Sequence, residues 1–230
     1  MKENKPFFSN ELAYLIGLVT LAFGTSLMEA SSFGVSMVVA PAYILHLKIS
    51  QFLPFFSFGM AEYSLQCLLL IAIAIIMRKF KLSYLFSFVT AVLYGFTLDG
   101  FIFLVDFVSV EAFWLRVLFF TLGTLFCCFG VALFFRTYIS PEAYELFVKE
   151  LSAKFGISIH KFKICYDITS CVVSVLLSFL FFGLWSFEGV NVGTVISALF
   201  NGLIIGQYSK LFDRLWTFKD SLPLRKYFEM

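Results

Sequence analysis

Apolar residues fall in six long runs, separated by short polar breaks. A helix needs about 20 predominantly apolar residues to cross a bilayer. The runs predict spans over Leu12–Met28, Phe55–Met77, Tyr84–Val105, Phe113–Phe135, Ile164–Leu184 and Val192–Phe212. Two further stretches do not fit that length. Residues 33–47 are apolar but too short to cross, with Pro41 inside and His46 and Lys48 following; they predict a re-entrant piece whose ends are covered by protein. Residues 139–160 are the one amphipathic stretch. Ser140 and Pro141 stand where an N-cap and a first helical residue belong. Glu145 with Lys149 and Glu150 with Lys154 have the i,i+4 spacing and order that support a helix. The charges predict that this helix lies on the membrane surface.

The runs repeat. Gly17–Gly24 reads GLVTLAFG and Gly123–Gly130 reads GTLFCCFG, each with a glycine at both ends. Seven residues is close to two helical turns, so both glycines of each copy share one face. A second echo sets Val89–Asp106 against Ile196–Asp213, matching Ala91 with Ala198, Gly95 with Gly202, Leu104 with Leu211 and Asp106 with Asp213. The chain therefore reads as one membrane domain, residues 1–230, made of repeats at about 12–107 and 118–214. Each repeat has three spans, an odd number, so the second enters from the opposite side. The expected fold is all-α and polytopic: six transmembrane helices as two inverted three-helix repeats, with a short extra helix after spans one and four. Many secondary transporters are built this way, with their sites near the midplane at the repeat interface.

Composition agrees. The chain is 60% hydrophobic, 20% aromatic and 14% charged, with 33 Phe and a mean hydropathy of +0.92; soluble domains are typically nearer half apolar and a quarter charged. Basic residues decide orientation. With the N-terminus cytoplasmic, all of the 17 Lys and Arg except Lys48 and Arg116 fall in cytoplasmic segments, 1–11, 78–83, 136–163 and 210–230. Both termini are expected inside, in the plasma membrane of a bacterium. Lys2 and Lys5 precede a run of spanning length with no small-residue cleavage site after it, so no removable leader is expected. Five Cys lie in apolar runs without metal-type spacing and read as small packing residues.

Acids inside spans are the candidates for chemistry, because a charge in hydrocarbon is costly and faces a cavity or a partner. Glu62, Asp99 and Asp167 are the expected substrate-binding residues. The competing roles are hydrogen bonds between helices for Glu62 and Asp99, and an interfacial pair with Lys163 or Arg136 for Asp167. Gly17, Gly24, Gly95, Gly123, Gly130 and Gly202 are expected to let helices approach closely. Gly34-Val35-Ser36 could present backbone N–H groups to an anion. Tyr84, Trp114, Trp185 and Trp216 suit an interfacial aromatic belt. His46 and His160 stand alone. No catalytic, nucleotide or metal motif is present, so neither an enzyme nor a cofactor is expected, and nothing suggests nucleic acid.

Gly17–Gly24, Ser32-Phe33-Gly34-Val35-Ser36 and Gly189–Gly202 (GVNVGTVISALFNG) together resemble the YczE/YyaS/YitT group of uncharacterised bacterial membrane proteins. Phe33 stands for that group's usual Leu and Met37 for its usual Pro, while Gly193-Thr194 fit. The resemblance implies a six-span inner-membrane protein and supplies no activity. The expected function is secondary transport of an unidentified small solute. The alternatives are a substrate-capture subunit, docked through residues 141–155 to a partner in a larger uptake system, and a membrane scaffold or regulator without ligand. A homo-oligomer is compatible with either.

Overall fold

The computed structural model describes residues 5–185, 187–223 and 225; of Leu82 and His160 the backbone alone is described. Lys2 and Lys226 of the orientation argument lie outside the described residues. Eight helices form among those described. They are α1 (Asn10–Ala30), α2 (Ala40–Ile49), α3 (Phe58–Met77), α4 (Leu82–Val105), α5 (Phe113–Phe134), α6 (Ala143–Phe155), α7 (Ile159–Phe182) and α8 (Val192–Leu215). All but α2 and α6 are long and apolar enough to cross a membrane. The fold is an all-α polytopic membrane protein. Helix α1 starts two residues before the expected span because the Ser9 hydroxyl accepts from the Leu12 N–H and caps it. Its 21 residues are then ample for a crossing.

The glycine echoes meet each other. Helices α1 and α5 run antiparallel in the most extensive helix contact among the described residues. A Cβ on Gly24 would lie 2.7 Å from the Gly123 carbonyl oxygen, and one on Gly130 would lie 2.6 Å from that of Gly17. The two glycine pairs thus sit symmetrically about the point where the helices cross. The other contacts obey the same exchange. Helix α4 packs on α1 as α8 packs on α5; α2 touches α3 and α7 as α6 touches α7 and α3; and α3 lies beside α4 as α7 beside α8.

Of the two short helices, α6 departs from the sequence expectation. It does not lie on a surface: Ala143, Tyr144, Glu145, Leu146, Val148, Leu151 and Ser152 are buried. The Ala143 N–H donates to Gln66 Oε1 at 3.0 Å, and Gln66 is eleven residues, about 16 Å, from the end of α3. At its other end Lys154 Nζ donates to the Ile76 carbonyl, one residue short of that end. Helix α6 is therefore a half-helix that starts partway through the bundle and returns. Its expected local pairs do not form, because tertiary partners are within reach. Glu145 faces Lys163 on α7, and Glu150 pairs with Lys81 at 2.8 Å. The entering chain spends its carbonyls on α4, where Ser87 and Thr90 hydroxyls donate to Pro141 and Ser140, as hydrocarbon surroundings require. The helix begins two residues after Pro141, not at it.

Helix α2 is the counterpart from the opposite end. Ser170, halfway along α7, donates to the Met37 carbonyl just before α2, and Lys48 near the last turn sits over the Phe182 ring at the end of α7. A further element was not foreseen: β1 (Phe7–Ser9) pairs in parallel with β2 (Thr217–Lys219), which brings both ends of the described chain to one end of the bundle. Glu11 fastens them there, accepting from Tyr138 Oη at 2.6 Å and from the Leu222 N–H at 2.9 Å. This end carries Arg136, Lys154 and Lys210 and is called the basic end below.

Candidate functional site

Glu62 begins the site. It lies one turn into α3, fully buried, where its Oε2 accepts from Tyr144 Oη at 3.1 Å and from Gln66 Nε2 at 3.3 Å. Gln66, the next residue on that face, donates from the same amide nitrogen to Glu142 Oε2 at 2.9 Å. Glu142 is the N-cap of α6 and Glu145 follows one turn on. From α7, Lys163 Nζ lies 3.1 Å from Asp167 Oδ1 and 4.0 Å from Glu145 Oε1. Every member is at most 8% exposed. One buried network thus holds four carboxyl groups and one ammonium, in surroundings that do not tolerate uncompensated charge.

The cluster forms one wall of an enclosed cavity of about 40 Å³. Glu142, Tyr144, Glu145, Lys163 and Asp167 line it; Thr25, Tyr94, Cys127, Cys128 and Asn201 form much of the rest, and Ser36, Val38 and Val39 close it from the start of α2. Both half-helices begin against this space, which lies beside the α1–α5 crossing. Tyr94 Oη donates to Thr25 Oγ1 at 2.9 Å, and Asn201 Nδ2 donates to Ser36 Oγ at 3.4 Å. Among the described residues, Glu142 Oε1, Glu145 Oε2 and Asn201 Oδ1 are buried on this wall without a hydrogen-bond partner.

The three expected acids part company here. Glu62 and Asp167 meet in the cluster, and Asp167 takes Lys163 as its partner, deep in the protein rather than at an interface. Asp99 is elsewhere. Its Oδ1 accepts from the Gly59 N–H at 2.8 Å and its Oδ2 from Ser57 Oγ at 2.5 Å, so it holds the first turn of α3 from α4. Asp99→Asn is expected to lower the melting temperature by the equivalent of about 1 kcal/mol, the scale of a lost helix cap. It should leave the cavity intact, a split that thermal unfolding beside solute binding would show.

Gly202 also departs from expectation: a Cβ there meets nothing within 4 Å, whereas one on Gly95 would press on Gly59. Tyr84, in the first turn of α4, is buried. Gly34-Val35-Ser36 connects α1 to α2. Gly34, at φ +94°, is wedged against Thr194, and Ser36 lines the cavity. Gln66, Glu142, Glu145, Lys163 and Asn201 were missed. Lys163 was visible only as a neighbour of Asp167, and Gln66 follows Glu62 by one helical turn. Glu142 and Glu145 looked like the solvated face of a surface helix.

The halves differ in one respect. Between α7 and α8 runs a crevice of about 490 Å³, lined by Lys163, Asp167, Ala198, Gly202, Gly206 and Lys210 among others. A second hollow of about 480 Å³ at the basic end has Glu145 in its wall. The cluster is thus approached from the basic end. The opposite end is closed. There Arg116 Nε donates to the Ser31 carbonyl at 2.7 Å, Asn191 Nδ2 to Ser32 at 3.1 Å and the Gly193 N–H to Phe33 at 3.0 Å. A pocket of about 240 Å³ outside this seal, with Glu29 and Glu188 in its wall, shares no residue with the central cavity. Among the described residues no His, Cys, Asp and Glu group is arranged to hold a metal ion.

No curated protein and no solved structure matches the chain. A family of unknown function, DUF6198, matches residues 8–210. The match takes in both half-helices and every spanning helix except the last turn of α8, and the chain belongs to the DUF6198 family.

Proposed function

We propose that the protein is a small-solute transporter of the secondary type. Its inverted halves rock about the α1–α5 crossing and expose the central cavity to one face at a time. The observation that carries this reading is the meeting of two half-helices, from opposite ends, at one buried cavity with an acidic wall between symmetry-related halves. Broken or partial helices of this kind form the sites of many such carriers. The difference between the halves supports it. Helices α3 and α4 touch at Gly59 and Gly95, while their counterparts α7 and α8 stand apart around the open Gly202. In a rocking carrier the other state exchanges the two arrangements.

The basic end faces the cytoplasm in this reading, following the distribution of Lys and Arg, and the membrane is the bacterial plasma membrane. A capture subunit docked through α6 is the poorer fit, since the residues meant for docking are buried against α3 and α7. The test is counterflow in proteoliposomes across a library of small solutes, with Ala198→Cys labelled from each side by a membrane-impermeant thiol reagent. Ala198 lines the α7–α8 crevice. Carriage of a solute, with labelling from the cytoplasmic side that the solute alters, is expected. Folded protein that carries no solute above empty vesicles would remove the proposal in favour of a scaffold or regulator.

A further inference from the structure

From the chemistry of the cavity wall, and resting on the transport reading for its purpose, we infer that the solute is a small organic cation that donates N–H hydrogen bonds, of the primary-amine class. Three observations lead there. First, the charge balance: the cluster holds four carboxyls and one ammonium, with Lys163 beside Asp167 and Glu145 and Glu62 and Glu142 joined through Gln66. Buried carboxylates in excess are neutralised by protons or by a cation, and an anion would add to the excess.

Second, the unsatisfied atoms. Glu142 Oε1, Glu145 Oε2 and Asn201 Oδ1 come from two different helices and stand on one cavity. Asn201 is uncharged and 7% exposed, so it adds a buried polar group to this cavity from outside the acid cluster. Of the donors around it, Tyr94 donates to Thr25 and Tyr144 to Glu62, and the Lys163 ammonium is ion-paired with Asp167 and Glu145. The half-helix starts do not reverse the balance. A helix N-terminus carries about half a positive charge, but the first α6 amide is taken by Gln66, and the Val39 and Ala40 amides by the Ser36 carbonyl.

Third, size and coordination. About 40 Å³ holds roughly three water-sized groups at about 10–15 Å³ each, which suits the head of an alkylammonium ion. The carboxylates do not gather into a metal cage among the described residues. A ligand that brings its own directed donors matches acceptor oxygens that stand apart from one another.

The experiment uses methylammonium as probe. Binding to the detergent-purified full chain is followed by thermal shift, and flux by counterflow of labelled methylammonium in proteoliposomes. Tetramethylammonium (a cation without N–H groups), sodium, formate and glycerol serve as comparisons. Stabilisation and counterflow by methylammonium alone are expected. In Glu145→Gln the dissociation constant should rise about tenfold or more, the scale of one lost charge-assisted hydrogen bond, with the ligand-free melting temperature retained. If that variant does not fold, Asn201→Leu makes the same test on the uncharged acceptor. Counterflow of formate or glycerol without methylammonium would overturn the cation assignment and keep the transporter. Methylammonium binding that is lost in the variant, with no flux of any solute, would keep the cation site and remove transport. An unchanged affinity in a folded variant, or equal effects from tetramethylammonium or sodium, would overturn the inference.

Discussion

Lys163→Met is expected to cost about 3–5 kcal/mol of stability, the usual penalty for stripping a buried ion pair of one partner. Methionine keeps most of the volume, so the loss is electrostatic. Lys163 is the one cation beside Asp167 and Glu145, and its side chain is 10% exposed. Removing it leaves Asp167 and Glu145 buried with no cation beside them. The effect should be read as the shift in thermal unfolding of purified protein. Lys163→Met combined with Asp167→Asn should recover a large part of the loss, because the residual buried charge then falls. A double-mutant cycle on these two residues gives the coupling directly. Little loss in the single variant would mean that the cluster is held by hydrogen bonds and packing, and that its charges are already neutralised by protons.

The second large effect belongs to the α1–α5 crossing. Gly24→Ala would set a Cβ 2.7 Å from both the Gly123 carbonyl oxygen and the Cys127 nitrogen. Those are backbone atoms of a helix and cannot turn aside, so the helices must separate along their whole contact. A cost of about 1–3 kcal/mol is expected, as for other overpacked sites. Gly202→Ala is the matched control in the other echo. With nothing within 4 Å of its Cβ, it should gain up to about 0.8–1.0 kcal/mol from helix propensity. Thermal unfolding of the two variants side by side tests whether sequence-similar glycines differ as the packing says. Equal behaviour would contradict the close α1–α5 approach.

That pair of glycines also shows where sequence reasoning stops. Gly95 and Gly202 are equivalent in the repeat, and sequence alone assigns them the same job. In the folded chain Gly95 lies against Gly59, while Gly202 borders an open crevice. The repeat relates the two sequences but not the state each half occupies. The same gap appears in the acids. Glu62 and Asp167 stood out because a carboxyl within a long apolar run has few explanations. Asp99 stood out for the same reason, yet it caps α3 from α4, since two residues about 40 apart in sequence became neighbours. Glu142 and Glu145 did not stand out at all. They lie in a stretch whose composition is that of a surface helix, and their true environment exists only once α3, α4 and α7 close around it.

What the sequence by itself determined is what depends on local composition. Runs of about 20 apolar residues must be spanning helices, because no other structure satisfies their backbone in hydrocarbon. Basic residues sort the loops, and paired glycines at helical spacing mark a close contact. The repeat and its inversion follow from counting spans. What only the tertiary structure decided is where the short segments go and what they bring together. A thirteen-residue helix with buried acids is unstable on its own, in water and in lipid alike. It becomes a half-helix with its start in the middle of the bundle because Gln66, Ser87, Thr90 and Lys163, from three other helices, supply the partners its polar groups need.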